Sequence, residues 1–338
     1  MKIAIHHRQG SFSERWIEYC QSNNIEYKIV NAFASDIIQQ VSDCDCFLWH
    51  YHHAHYKDVK AAKNILFALE HSGISTFPNF NTAWHFDDKI AQKYLLEAAK
   101  VPLVASYVFY DKLEAIAWIN KASFPKVFKL KGGAGAKNVK LAKSKVEALH
   151  FIKKAFGNGF PQFDKLGNLK DRIIKYKNGR DNLIGISKAL GRFLLTPDFS
   201  RQQPNERGYA YFQDFIPNND FDIRVITINN RAFAIKRIVR DGDFRASGSG
   251  NIVYDMNEIN LECIKMAFET HRKLSSQCTA FDFVFDGEGK PLIIEISYGF
   301  EVKPYDLCPG YWDDSLSWYE ESFVPQDWII EGVIKEVI

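Results

Sequence analysis

The chain has 338 residues, of which 46% are hydrophobic, so it is long enough for two or three domains with a sizeable core. Its net charge of +2 gives no argument for nucleic acid as a partner. The six cysteines are scattered, which indicates reduced core thiols, and no apolar run has the length of a signal peptide or a membrane span. We therefore expect a cytoplasmic protein with small-molecule partners and without membrane or nucleic-acid partners, and homodimer formation is left open.

Residues 1–80 alternate strand and helix patterns. Helical patterns separate four short apolar segments, and this alternation predicts a parallel sheet covered on both faces, as in a Rossmann-like domain. The predicted strands span residues 1–7, 27–31, 46–51 and 75–78.

Polar side chains follow the first and third of these strands, at the edge where ligands of parallel sheets collect. One interpretation is a site for an anionic or sugar-like substrate, with imidazoles and a guanidinium donating hydrogen bonds. A zinc site formed by the H-x-H-H-x-H segment and ordinary loop histidines are the alternatives. The candidate substrate residues are His6, Arg8, Gln9, His50, His52 and His53.

A glycine-rich loop follows the strand predicted over 124–131. Before it, a long helix predicted over 82–99 contains Lys89, and the strand itself carries Lys129. Glycines allow backbone amides to approach phosphates closely, and Lys129 could reach the same phosphates. The loop matches neither the P-loop nor the dinucleotide fingerprint, so a flexible hairpin loop is the alternative. Its glycines are Gly132, Gly133 and Gly135.

Residues 157–208 are basic and irregular in pattern. They are either a solvated insertion or a cover over the active site that meets a charged substrate. After an apolar strand over 209–216, residues 221–237 predict a hairpin about Asn229-Asn230. It carries Asp222 and Arg224 near its start and Arg237 near its end, and Arg245 follows in a Gly/Ser-rich loop.

The segment 281–297, FDFVFDGEGKPLIIEIS, predicts a second hairpin with two acids in its apolar strands. If residues 287–290 form the loop, Asp282 lies directly across from Glu295, and Ser297 projects from the same face. Facing carboxylates repel each other unless a cation lies between them. Mg²⁺ suits that position, because it binds one or two carboxylates while nucleotide phosphates complete its shell. The alternative is a pair of solvent-facing acids on an edge hairpin.

From Asp88 to Ser297 the order of these motifs resembles the ATP-grasp ligases, in particular the branch that joins carboxylates to amines, as in glutamate ligases and glutathione-synthetase-like enzymes. The resemblance implies ATP and one or two Mg²⁺ ions, or Mn²⁺, as cofactors. Ser297 stands where the family usually has an asparagine ligand, which leaves the second ion open. The implied phosphate-binding residues are Lys89, Lys129 and the glycine loop, and the implied metal ligands are Asp282, Glu295 and Ser297.

The resemblance also implies the remaining roles. The backbone of Gln213, Asp214, Phe215 and Ile216 would read the adenine edge, and Asp222 would bind the ribose. The three arginines would be catalytic: Arg237 and Arg245 at the γ-phosphate and Arg224 at the acceptor carboxylate.

The implied fold is α/β, with a Rossmann-like domain over 1–80 followed by the two-lobed ATP-grasp fold, whose small lobe covers 81–208 and whose large lobe covers 209–338. The implied reaction forms an amide or peptide bond through an acyl phosphate. A phosphotransferase of the same superfamily and a non-catalytic nucleotide-binding module are the alternatives. The aromatic residues near the histidines would suit a sugar or nucleotide sugar, as in surface-glycan synthesis; these are Trp49, Tyr51, Tyr56 and Trp84.

Overall fold

The computed structural model describes residues 1–132, 138–161, 173, 176, 204–240, 244–246, 248 and 250–338. The chain forms two compact units. Unit 1 comprises residues 1–52, 57–104 and 216–338, and unit 2 comprises residues 53–56 and 105–215. None of the helices in the described ranges is long and apolar enough to cross a membrane.

Unit 1 begins with a four-stranded sheet in the order β2-β1-β3-β4, and all its pairs are parallel. The central three residues of β1 and all three residues of β3 are buried. This pattern is typical of strands in a parallel sheet that is covered on both faces. This confirms the predicted Rossmann-like sheet. The elements are β1 (Lys2–His6), α1 (Phe12–Ser22), β2 (Glu26–Val30), α2 (Ile37–Val41), β3 (Cys46–Leu48), α3 (Tyr56–His71) and β4 (Ser75–Phe77).

The long helix predicted over 82–99 is wrong, because the structure has two helices there, α4 (Phe80–Ala83) and α5 (Lys89–Ala98). The chain turns at Asp87, whose φ is +55°, and no helix can continue through that conformation. Asp88 then caps α5, since its carboxylate accepts hydrogen bonds from the backbone N–H groups of the second and third helical residues. The cap fixes Lys89 as the first residue of α5.

Unit 2 contains a four-stranded antiparallel sheet in the order β5-β8-β6-β7, with two helices packed on it. Its core is formed by apolar side chains of those strands and helices, such as Phe128 and Phe212. The elements are β5 (Ser106–Phe109), α6 (Lys112–Ile119), β6 (Lys126–Lys129), β7 (Val139–Ala142), α7 (Lys145–Ala155) and β8 (Ala210–Asp214).

Unit 1 continues with a seven-stranded sheet in the order β13-β12-β9-β10-β14-β15, with β11 paired to β10. One face packs on helix α8, and the other shares a core with the first sheet through residues such as Ile226 and Phe233. The elements are β9 (Phe221–Ile228), β10 (Arg231–Ile238), β11 (Ile252–Val253), α8 (Leu261–Leu274), β12 (Cys278–Phe285), β13 (Pro291–Ser297), β14 (Tyr311–Asp313), β15 (Trp318–Tyr319) and α9 (Pro325–Val337).

The acidic hairpin β12–β13 pairs Asp282 with Glu295, as predicted, but for a different reason. Phe285 is paired with Pro291, so the loop has five residues, 286–290, rather than the expected four. The Asp286 carboxylate stabilises this loop by accepting hydrogen bonds from the backbone of Glu288 and Lys290. A bulge next to Asp282 then shifts the register by one residue, and the two acids come back into line.

The two compact units do not follow the predicted boundaries at residues 80 and 208, because unit 1 contains both the first and the second sheet. Gln277, at the start of β12, connects these sheets. Its backbone N–H donates to Thr82 Oγ1 at 2.8 Å, and its side-chain amide donates to the Thr76 carbonyl at 3.0 Å. The division into three domains stays a prediction.

Gly310 precedes β14 at a point where no side chain fits. A Cβ there would lie 2.1 Å from the Tyr319 carbonyl oxygen and 2.7 Å from the Trp318 ring. We expect Gly310→Ala to lower the free energy of unfolding by about 1–3 kcal/mol, as overpacking does. Gly287→Ala is the matched control, since nothing lies within 4 Å of its Cβ position. Urea denaturation of both variants checks this, and equal midpoints would contradict it.

Candidate functional site

Strand register brings charged side chains together on one face of the second sheet. Arg224 on β9 is paired with Asp282 on β12, which is paired in turn with Glu295 on β13. Asp222 and Arg237 are paired one step further along, on β9 and β10. Because residues 222 and 224 are two apart on one strand, the side chains of both sets of paired residues project from the same face of the sheet. Lys89 from α5 joins these five side chains, and the six together are called the charged row.

Each acid of the charged row contacts a base. Both oxygens of Asp282 accept hydrogen bonds from Arg224, at 2.5 and 2.7 Å, and Arg237 Nη2 lies 3.0 Å from Asp282 Oδ1. Asp222 accepts two bonds of 2.6 Å from Arg237. The Lys89 ammonium lies 3.0 Å from Glu295 Oε1. The repulsion between Asp282 and Glu295, which we expected a nucleotide-borne cation to offset, is therefore already offset by side chains of the protein.

Burial and charge act against each other on these groups. Burial raises the pKa of Asp282, but the charges of Arg224 and Arg237 outweigh it and hold the pKa well below its ordinary range. For Asp222 burial is the larger effect, and its pKa is raised. Burial lowers the pKa of Lys89, but the negative charges of Glu295 and Asp87 outweigh burial, and the pKa is raised. Asp282 and Lys89 consequently keep their charges at neutral pH.

In unit 2 the strand predicted to read adenine is β8. The side chain of Gln213 is buried and donates to Ser106 Oγ at 3.1 Å, and Asp214 accepts from Lys126 Nζ at 2.6 Å. Phe215 and Ile216 follow the strand. Lys129 is a buried residue of β6, on the strand next to β8.

Arg8 lies at the edge of the first sheet where the parallel strands end. Its Nη1 donates to Oδ2 of the buried Asp58 at 2.8 Å, and its Nη2 donates to the His50 carbonyl at 3.0 Å. His50 is buried against the ring of Phe12, and burial holds its pKa well below the ordinary value. The Phe12 N–H donates to His50 Nδ1, so in the neutral ring the proton is on Nε2.

The other candidate residues of this edge differ in exposure. Gln9 is exposed, whereas His6 is half-buried and accepts from the Ala32 N–H at 3.1 Å. The backbone N–H of His52 donates to Asp58 at 2.7 Å, and His53 belongs to unit 2. Two of the four aromatic residues expected to face a sugar are instead core residues, because Trp49 and Tyr51 are 0% and 3% exposed.

Comparisons with known proteins agree with this architecture. Residues 207–305 match the family model described as the RimK-like ATP-grasp domain. The whole chain is similar to a RimK domain ATP-grasp protein of Sphaerobacter thermophilus, with a TM-score of 0.56 at 15% identity over 99% of this chain and 100% of the other. The D-alanine–D-alanine ligase of Bacillus anthracis complexed with ATP gives a TM-score of 0.57 at 13% identity, over 100% and 98% of the two chains.

The chain has an ATP-grasp fold. In sequence, it is 34% identical over 97 residues to the phosphoribosylamine–glycine ligase of Listeria monocytogenes. That match covers 28% of this chain and 23% of the ligase, so the chain spans less than a quarter of that relative.

Two of the three predicted metal ligands of the ATP-grasp fold suit magnesium. Asp282 and Glu295 supply hard carboxylate oxygens at directly paired positions, and the side chain of Glu295 is 32% exposed. The third predicted ligand, Ser297, has a protein partner instead, because its hydroxyl donates to the Gly299 carbonyl at 2.9 Å. Within the described ranges no group of three or more His, Cys, Asp or Glu residues is arranged to hold a metal ion. Nucleotide phosphates would have to complete the shell.

The remaining predicted residues lie elsewhere. The Arg245 guanidinium lies 5.8 Å from the ring of its neighbour Phe244, in the loop after β10. Gly132 is described, but Gly133, Gly135 and most of the basic segment, residues 162–203 except 173 and 176, lie outside the described residues.

Among the residues that contact predicted site residues, sequence analysis missed Asp58, Lys126 and Tyr305. Asp58 holds Arg8, Lys126 holds Asp214, and Tyr305 hydrogen-bonds Arg224. Asp58 and Tyr305 come from elements distant in sequence, and no motif indicates them. Lys126 had a signal, since it shares a strand with Lys129.

We expect Arg237→Gln to lower the free energy of unfolding by about 3–5 kcal/mol, because it leaves Asp222 without its base and Asp282 with one base fewer, in a buried place. Lys290→Gln is the control, since its ion pair with Glu288 is exposed, and it should stay within about 0.5 kcal/mol of the parent protein. Chemical denaturation measures both. A loss for Arg237→Gln no larger than that of the control would show that the pair does not stabilise the fold.

Proposed function

We propose that the protein is an ATP-dependent carboxylate–amine ligase that forms ADP and phosphate. The observation that carries the proposal is the charged row. Its members other than Lys89 lie on strands of the segment matched by the RimK-like ATP-grasp domain. Three bases there are held in fixed positions by three acids. Preorganised charges of this kind are what phosphoryl transfer requires, because its catalysis depends on positioning and on charge neutralisation.

The proposed reaction has two steps. An oxygen of the substrate carboxylate attacks the γ-phosphorus of ATP, the bond to the β-phosphate oxygen breaks, and ADP leaves an acyl phosphate behind. The amine nitrogen then attacks the acyl carbon, the carbon–oxygen bond to phosphate breaks, and the nitrogen loses a proton as free phosphate departs. The product is an amide or peptide.

Lys89 and Arg237 bind phosphate oxygens in this proposal, and Arg224 binds the acceptor carboxylate. Lys89 is positioned by the cap at Asp88 and Arg224 by Asp282, and the Arg224 side chain is 20% exposed against 8% for Arg237. In unit 2, Lys129 and the loop at Gly132 contribute phosphate contacts, and the β8 backbone contributes adenine contacts. Asp222 binds the ribose and Arg245 the transferred phosphoryl group, as the family resemblance implies.

Asp282 and Glu295 would hold the metal ion, Mg²⁺ or Mn²⁺, that arrives with ATP, and Asp282 would share its oxygens between the ion and the two arginines. The bound ion would offset the charge that develops on the phosphate oxygens. A second ion would need Ser297, whose hydroxyl would first have to turn away from Gly299.

For the substrate we propose a hydroxyl-rich acceptor, such as an amino sugar or nucleotide sugar of a surface-glycan pathway, joined to an amino acid in the cytoplasm. Support comes from the polar edge of the first sheet, where Arg8 and His50 lie. The buried Trp49 and Tyr51 give no support. Screening carboxylate and amine pairs for ADP release tests the substrate class, and light scattering tests whether the protein is a homodimer.

We expect the protein to release ADP and free phosphate in equal amounts only when a carboxylate and an amine are both present. Asp282→Asn should lower kcat by about 10²–10³, as removal of a comparable electrostatic contact does. Glu288→Gln, an exposed acid on the same hairpin, is the control. A coupled assay for ADP and one for phosphate give the readout. Phosphate retained on a product would indicate a kinase, and full activity of Asp282→Asn would contradict the metal assignment.

A Cβ added at Gly299 would lie 3.4 Å from His50 Nε2. The Nε2 proton of His50 is therefore close to the backbone of Gly299. We expect His50→Ala to raise KM for the acceptor roughly 2–10-fold, the loss of one hydrogen bond, and to leave KM for ATP unchanged. His71→Ala, an exposed histidine at the end of α3, serves as the control. Unchanged acceptor KM in steady-state kinetics would remove His50 from the acceptor site.

A further inference from the structure

The charged row contains as many acids as bases, and its acids and bases neutralise each other. Lys89, Arg224 and Arg237 carry three positive charges, against the three negative charges of Asp222, Asp282 and Glu295. The groups that would bind phosphates are therefore paired with the groups that would bind a metal ion.

The pairs differ in how firmly they are held. Asp282 is 5% exposed and is fixed by bonds from two arginines. The side chain of Glu295 is 32% exposed and its Oε1 is in contact with Lys89, which is 4% exposed. Since an exposed side chain exchanges partners more readily than one fixed by several buried bonds, Glu295 is the acid that can change its partner.

This arrangement disfavours a nucleotide without a metal ion. A phosphate that approached Lys89 would meet the negative charge of Glu295 at the same place, and like charges brought together cost free energy. A metal ion on the nucleotide removes this conflict, because a carboxylate that binds the ion no longer opposes the phosphate. Lys89 is then able to bind a phosphate oxygen while Glu295 binds the ion.

We propose that Glu295 is a specificity-determining residue that makes the site select metal-bound ATP over metal-free ATP, by occupying Lys89 until a metal ion takes the carboxylate. This inference rests on the proposed function, in that it requires nucleotide binding at the charged row. It adds a role for Glu295 that acts before any chemical step.

The test is isothermal titration calorimetry with a non-hydrolysable ATP analogue, once in excess Mg²⁺ and once in excess EDTA. The parent protein should bind more tightly with Mg²⁺. Glu295→Gln removes the charge and keeps the shape. It should bind about tenfold more tightly than the parent in EDTA and more weakly than the parent in Mg²⁺, so that the preference for the metal complex collapses.

Two further variants make the result specific. Glu288→Gln removes an exposed acid from the same hairpin and should leave both affinities unchanged. Lys89→Met should weaken binding in both conditions, and adding Glu295→Gln to it should regain less in EDTA than the same change gains in the parent protein, because part of that gain comes from the released ammonium. Melting temperatures confirm that each variant is folded.

The outcomes separate the two proposals. If Glu295→Gln weakens binding in EDTA as much as in Mg²⁺, or leaves binding in EDTA unchanged, Glu295 does not select metal-bound ATP by occupying Lys89. The proposal that the charged row binds a nucleotide is then unaffected. If the parent protein binds the analogue in neither condition, the proposed function itself fails.

Discussion

The structure of the candidate site depends on the balance of charge on one face of the second sheet. Asp222 and Asp282 are almost completely buried, and a buried carboxylate is tolerated only where a base and hydrogen bonds compensate it. Arg224 and Arg237 supply this compensation from strands β9 and β10. The sheet register is therefore a condition for the stability of the site, because a slip of one residue would turn one strand's charges to the opposite face.

Other parts of unit 1 hold this balance in place. After α4, the chain turns at Asp87 and the cap at Asp88 starts α5, so that Lys89 reaches Glu295. Gln277 directly precedes β12, the strand that carries Asp282, and connects it to the first sheet. The apolar residues on the opposite face pack on α8. On the face of the charges, residues such as Ile226 and Phe233 continue into the core shared with the first sheet.

Several site relations were predictable from the sequence, and the reasons are local. The Asp222–Arg237 and Asp282–Glu295 pairings follow from hairpins, in which register depends on a short turn. The second of these pairings was predicted with the wrong loop length, since neither the five-residue loop nor the bulge that compensates it leaves a clear signal in the sequence. The bases that contact the acidic hairpin were not predictable, because Lys89 and Arg224 reach it from elements distant in the chain.

The sequence by itself determined the parallel first sheet, the two hairpins and the set of charged residues that resembles an ATP-grasp site, because hydrophobic periodicity and turn chemistry act over a few residues. Only the tertiary structure decided which charges neutralise each other, which aromatic residues are core, and where the helix before Lys89 is interrupted. These depend on burial and on contacts between distant segments. Periodicity shows that a side chain faces inward, whereas the packed structure alone specifies what it meets there.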